Sequence, residues 1–247
     1  MKMSEYVRGE WKKLKGQPFK VRLAYFWDYY KWHTIAALLV AALVCSTVVT
    51  QLSKKDTVLS GILINGSQPL DDPALLQEFY AQSGIEPDQQ EMLLHTGFVL
   101  TEADPSVSML TYQRIHAGVA AGDTDFIVGN ADAIRRCGYD TSHMLADLRA
   151  YLSPEELAQL EGKLYYLDGS VWKAENYGTG EELVFPSPFT PEEMKDPIPV
   201  GIDISACTEF LSAYYGANEK IYFTIVSNAP HKELTLQWLD FLQTYEE

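Results

Sequence analysis

HAGVAAGDTDFIVGNADAI, His116 to Ile134, is the stretch that decides the fold class. An alanine-rich run ends at Gly122-Asp123, the kind of turn that closes a helix. Thr124 to Gly129 is then short and mostly apolar, as a buried strand is. Asn130-Ala131-Asp132 follows with short polar side chains suited to starting another helix. A helix, a buried strand and a helix in such quick succession argue for an α/β domain built on a mostly parallel or mixed sheet, with helices layered against it.

The same alternation extends outward in both directions. Upstream, Asp104-Pro105 opens the helix that runs to about Ala121, and EMLLHTGFVL (Glu91 to Leu100) reads as the strand before it. Asp72-Pro73 caps a helix reaching about Ser83, with Leu75, Leu76, Phe79 and Tyr80 on its inner side, and TVLSGILI (Thr57 to Ile64) is a strand ending at the turn Asn65-Gly66. Downstream, Ser153-Pro154-Glu155-Glu156 and Thr190-Pro191-Glu192-Glu193 each place a hydroxyl, a proline and a third-position glutamate as a capping box does. Between them lies strand and loop up to Pro188, with KLYYLDGSVW its most strand-like part. The remaining elements are a strand at Pro199 to Ile204, a helix at Thr208 to Tyr215, a strand at Lys220 to Val226 and a helix from His231. In that last helix Leu234, Trp238, Phe241, Leu242 and Tyr245 make one apolar stripe.

Ahead of this domain, Thr34 to Leu52 reads TIAALLVAALVCSTVVTQL, without a formal charge. As a helix it would be about 28 Å long, close to the hydrocarbon thickness of a bilayer. Its few polar residues crowd one end, so it lacks the polar face of an ordinary surface helix. Some thirty residues precede it, unlike the short basic lead of a cleaved signal peptide, so the expectation is a retained anchor. Lys15, Lys20, Arg22 and Lys31 precede the span and only Lys54 and Lys55 follow it, which predicts a cytoplasmic N-terminus and an outer C-terminal domain. The expected organisation is a basic, aromatic segment over 1–33, a transmembrane helix over 34–52 and an extracytoplasmic domain over 53–247. Tyr25, Phe26, Trp27, Tyr29, Tyr30 and Trp32 are expected at the membrane interface, where amphipathic rings settle. Beside Lys20, Arg22 and Lys31 they could also hold anionic lipid or a membrane partner.

Charge is divided along the chain. Residues 1–33 carry eight Lys or Arg against three acids, a surplus of five positive charges. From Asp56 onward thirty-one acids face nine bases, a surplus of twenty-two negatives, which repels phosphate backbones and excludes nucleic acid as a partner of that domain. Cys45 lies in the apolar stretch. Cys137 and Cys207 are either two buried thiols or, in an exported domain, a disulfide.

Catalytic and metal-binding signatures are missing from the sequence. Gly122-Asp123-Thr124-Asp125 puts apolar Ile127 where a calcium loop needs its next oxygen, and the five histidines are scattered without zinc spacing. No nucleophile elbow or P-loop occurs, so neither a metal nor a cofactor is expected. Asn65-Gly66-Ser67 matches a glycosylation acceptor and equally a tight turn. Ligands of open α/β sheets sit at the carboxyl ends of strands, which nominates Asn65, Asn130, Asp132, Trp172 and Asp203 as ligand-binding candidates. Each has a plain alternative as a turn, a helix cap, a core ring or a loop carboxylate.

Two resemblances sharpen this. His116 to Ile134, followed by MLADLRAYLSPEEL (Met144 to Leu157), resembles the middle of extracytoplasmic solute-binding proteins, and IYFTIVSNAPHKELTLQWLDFL (Ile221 to Leu242) is similar to their late strand-then-helix segment. The decamer AYFWDYYKWH (Ala24 to His33) resembles a juxtamembrane motif of uncharacterised single-pass proteins of Gram-positive bacteria, a family that implies no activity. The resemblance implies a shortened periplasmic-binding-protein-like fold. The function expected from it is a membrane-tethered module that captures a small solute or peptide without catalysis. The alternative is a structural or assembly subunit that binds membrane protein partners.

Overall fold

The computed structural model describes residues 18–52, 54–71, 73–139, 143–171, 185–216 and 219–245. The chain divides into two units, Met1–Lys54 and Lys55–Glu247. In the first, Phe19–Leu52 is one continuous helix, α1. Its stretch Lys31–Val49 is apolar and long enough to cross a membrane, and none of it is buried, unlike the core helix of a soluble protein. The Thr47 hydroxyl donates to the Leu43 carbonyl at 2.8 Å, so this polar group is satisfied within its own helix. The backbone of Ala24 to His33 belongs to the same helix, with Trp27 and Trp32 exposed. The side chains of Tyr25, Phe26, Tyr29 and Tyr30 lie outside the described ones.

In the second unit strands and helices follow in the order β1 (Asp56–Ile64), α2 (Ala74–Ser83), β2 (Gln90–Phe98), α3 (Pro105–Ala121), β3 (Phe126–Asn130), α4 (Ala131–Gly138), α5 (Pro154–Gln159), β4 (Leu164–Asp168), β5 (Pro197–Asp203), α6 (Thr208–Tyr214), β6 (Ile221–Ile225) and α7 (Lys232–Thr244). They build a six-stranded sheet ordered β2-β1-β3-β6-β5-β4. β1 is parallel to β2 and β3, whereas β6 runs antiparallel to both β3 and β5, and β4 antiparallel to β5. The sheet is therefore mixed, and the domain is α/β.

The middle of the sheet is dry because its strands are apolar on both faces, as strands covered by helices must be. β1 is buried from Leu59 to Ile64. Gly61 is needed there: a Cβ would lie 2.1 Å from the Phe126 ring, which stacks on Phe223 at 4.7 Å. α2, α6 and α7 share an aromatic cluster in which Trp238 meets Phe79 at 4.7 Å, Phe241 at 5.5 Å and Phe210 at 6.2 Å. α4 packs where Gly129 lets Ala133 approach β3. Cys137 and Cys207 are both buried and unbridged, so the two-thiol reading is the one the fold realises.

Helix starts set by neighbouring residues form as the sequence predicts. Asp104 accepts hydrogen bonds from the N–H groups of Ser106 and Val107, and Asn130 caps α4 through Ala133. Ser153 and Glu156 complete a capping box on α5. Gly122 takes the left-handed conformation, φ 72°, that ends α3.

Two expectations are corrected. Thr190 to Glu193 is no capping box: the Thr190 hydroxyl turns to the Glu193 carboxylate instead of a backbone N–H, and only a single 3-10 turn, Pro191–Glu193, forms. The strand expected to Leu100 ends at Phe98, just after Gly97 at φ 78° turns the chain. The expected cap Asp72 lies outside the described residues; Pro73 occupies the position just before α2. The Leu75 N–H at its start donates to Glu209 of α6 at 3.1 Å.

Candidate functional site

Chain order makes the carboxyl ends of β1 and β3 the expected place for a ligand. From β1 the chain moves to one side to form β2 and then returns to the other side to form β3, so these neighbouring ends frame a topological switch point. The register Leu63 to Val128, Asn130 to Ile221 and Asp203 to Tyr222 brings Asn65, Asn130 and Asp203 onto one sheet edge. Three of the five residues nominated from the sequence thus share this edge.

Their side chains are nonetheless engaged within the fold. Asn65, at φ 60°, bonds Leu100 in both directions: its Nδ2 donates to the Leu100 carbonyl at 3.1 Å, and its Oδ1 accepts from the Leu100 N–H at 2.9 Å. This latch joins the end of β1 to the loop after β2. Asn130 is the α4 cap. Asp203 accepts from the Ser205 N–H at 2.9 Å and lies 4.0 Å from the Lys220 amine. Asp132, in the first turn of α4, is paired with Arg135 and, at 2.7 Å, with Arg136, which also reaches Glu102 at 3.0 Å. Burial raises the Asp132 pKa, but the two arginines outweigh it and hold the carboxyl below its ordinary value. Trp172 lies outside the described residues.

The α6 segment is bonded into this crevice, and no local sequence signal places it there. The Ser67 N–H donates to the Tyr214 carbonyl at 2.8 Å, and the Tyr215 hydroxyl donates to the Val128 carbonyl at 3.0 Å. Burial pushes the Tyr215 phenol up, and nearby Glu219 adds to it. Glu209 closes the same end: one oxygen takes the Leu75 N–H and the other the Tyr245 hydroxyl at 2.8 Å. That bond, with burial, pushes the Tyr245 phenol up to about 12. Partners 134 residues apart leave no local signal in a sequence.

A second polar cluster lies at the amino end of β3. Asp125 is fully buried, and its carboxylate accepts from the Ser60 N–H at 2.9 Å and the His231 N–H at 2.7 Å, with the His231 Nδ1 at 3.1 Å. A carboxylate that orients an imidazole is two thirds of a nucleophilic triad. Among the described residues no hydroxyl or thiol bonds that ring. What the cluster does is fasten the start of α7 to the sheet. No group of three His, Cys, Asp or Glu side chains converges among the described residues.

In the second unit, α3 presents several large apolar side chains to solvent. Val107, Met109 and Leu110 are 39%, 60% and 63% exposed, and Val99 beside them is 42% exposed. Shallow hollows flank this ridge, one lined by Leu100, Pro105 and Tyr112, the other by Val99, Leu110 and Ala117. No family model, curated protein or solved structure matches this chain.

Proposed function

We propose that the chain is a single-pass membrane protein, N-terminus inside, whose outer domain docks protein partners as a structural or assembly subunit and performs no catalysis. The observation that carries this reading is the filled switch-point crevice. Where an α/β sheet offers a ligand its best-placed polar groups, this domain engages Asn65, Asn130 and Asp203 with nearby backbone and bonds the Val128 carbonyl and the Ser67 N–H to the α6 segment. The apolar ridge of α3 supplies an alternative contact surface of the kind that marks protein interfaces. The basic flank ahead of the apolar span supports the orientation.

Crosslinking in intact membranes tests the reading. It expects a stoichiometric protein partner that persists without added solute, and a chain that yields no protein adduct would count against it. Protease added to whole cells tests the topology: an outer domain spared until lysis reverses the orientation.

A second reading, capture of a small solute or peptide by a shortened solute-binding-like lobe, draws support from the doubly wound β2-β1-β3 start and from His116 to Ile134, which folds as helix, glycine turn, strand and helix. It expects a thermal upshift of the chain with some member of a sugar, amino-acid and peptide panel, because a ligand of the native state stabilises it by RT ln(1 + [L]/Kd).

A further inference from the structure

Helix α1 starts well before its membrane-crossing stretch. It begins at Phe19, whereas the apolar window opens at Lys31, so about three turns lie on the amino-terminal side of the span. At about 100° per residue, Lys20, Ala24, Trp27 and Lys31 recur at helical spacing and share one face. Lys20, Ala24 and Trp27 are exposed, and Lys31 is partly so. Among the described residues none hydrogen-bonds or ion-pairs with either lysine or with the Trp27 indole. We propose that this face binds an anionic phospholipid of the cytoplasmic leaflet, with the lipid phosphate held between the Lys31 amine and the Trp27 indole N–H. This rests on the single-pass reading above and names a ligand for the inner end of the span.

Depth selects a lipid. Each polar layer of a bilayer is about 5–7 Å thick. Trp27 lies one turn, about 6 Å, outside Lys31, so the two bracket the level of the lipid phosphates. A lysine at the end of a span extends its ammonium to that level, and an indole settles there with its ring toward the acyl chains. Residues four apart stand one above the other on a helix, which lets both donors reach one phosphate. Charge then selects the anionic class. Phe19 to Lys31 carries Lys20, Arg22 and Lys31 against Asp28 alone, and residues 1–33 carry five surplus positives. A zwitterionic headgroup brings its own cation to this face, whereas an anionic one leaves a net negative phosphate for the lysines. Lys20, about 16 Å from Lys31 along the axis, stands about one Debye length beyond the headgroups and attracts the leaflet at longer range. An acidic cytosolic protein would meet Lys20 first, but Trp27 and Lys31 lie among headgroups.

The test reconstitutes the full chain in phosphatidylcholine vesicles and compares how strongly spin-labelled phosphatidylglycerol and spin-labelled phosphatidylcholine are immobilised by the protein. Lys54→Gln and Lys55→Gln form the background, so that no lysine at the other end of the helix contributes. Phosphatidylglycerol should be preferred, and the preference should fall as salt rises. Adding Lys31→Gln should weaken it about fivefold, as loss of one basic contact at a membrane surface does, and Lys20→Gln should weaken it by less. Lys31→Arg should keep it, which separates lost charge from a damaged helix. An inserted chain with no preference, or one that Lys31→Gln leaves unchanged, overturns the lipid site while the single-pass reading stands. A chain that alkaline carbonate strips from the vesicles overturns both. If the vesicles show no preference but Lys20→Gln with Lys31→Gln releases a crosslinked acidic protein from native membranes, the face belongs to that protein and not to a lipid.

Discussion

The carboxyl edge of the sheet and the outward face of α3 treat their side chains in opposite ways. At the edge, Asn65, Asn130 and Asp203 are polar, converge, and are all bonded within the fold. On α3, Val107, Met109 and Leu110 are apolar and face solvent. Convergence of polar residues at a favoured position therefore does not make a binding site, because backbone groups of the same chain can claim them first. The apolar surface left without cover is the better guide to where this domain meets something else.

The comparison can be broken most forcefully at Phe210, the α6 ring that meets Trp238. Phe210→Ala should cost about 3–5 kcal/mol in equilibrium unfolding of the chain in detergent, as a large-to-small change in a closed core does. A loss below about 1 kcal/mol would mean that α6 is loosely seated and the crevice can open. Acid offers a second approach at the far side of the sheet. Burial raises the Asp168 pKa, but hydrogen bonds from Ser170, Lys195 and Asp196 outweigh it and hold the carboxyl below its ordinary value. Because the folded value is the depressed one, this group stabilises the native state above its unfolded pKa of about 4, and that contribution fades as pH falls through the folded value. Asp168→Asn should therefore lower stability at neutral pH and flatten its acid limb; an unchanged limb would show that this carboxylate is not holding its loop.

Glu209 offers a quieter reading of the same edge. In Glu209→Gln the Tyr245 absorbance titration should move from about 12 back toward the ordinary tyrosine value, and an unmoved titration would show that the bond closing the crevice does not persist in solution. The smallest effect belongs to the opposite surface. In the isolated chain, Leu110→Ser should change folding stability by no more than about 0.5 kcal/mol, since the side chain is outside the core. A larger loss would mean that the ridge is packed within the chain's own fold.

How far the sequence reveals this molecule depends on how far apart the cooperating residues are. Asp104, Asn130 and Ser153 cap helices two or three residues away, so their roles are legible. Thr190 follows the same pattern and fails, because its hydroxyl has a side-chain acceptor within reach and takes it. The identity of most strands was legible from apolar runs, but not the insertion of β6 between β3 and β5, which depends on pairing across the chain. The candidate site was legible as a place and not as a function: the edge exists, and the α6 segment that fills it is recognised only through contacts such as Glu209 to Leu75.

The position of β6 also bears on how the protein is made. Until Ile221–Ile225 leaves the ribosome, β2-β1-β3 and β4-β5 are separate ribbons, each with a raw border waiting for the same late strand. Completion of the sheet must then come after nearly all of the α/β domain has been synthesised. Chains stopped before Ile221 should accumulate as aggregates or be degraded rather than persist as a smaller folded form.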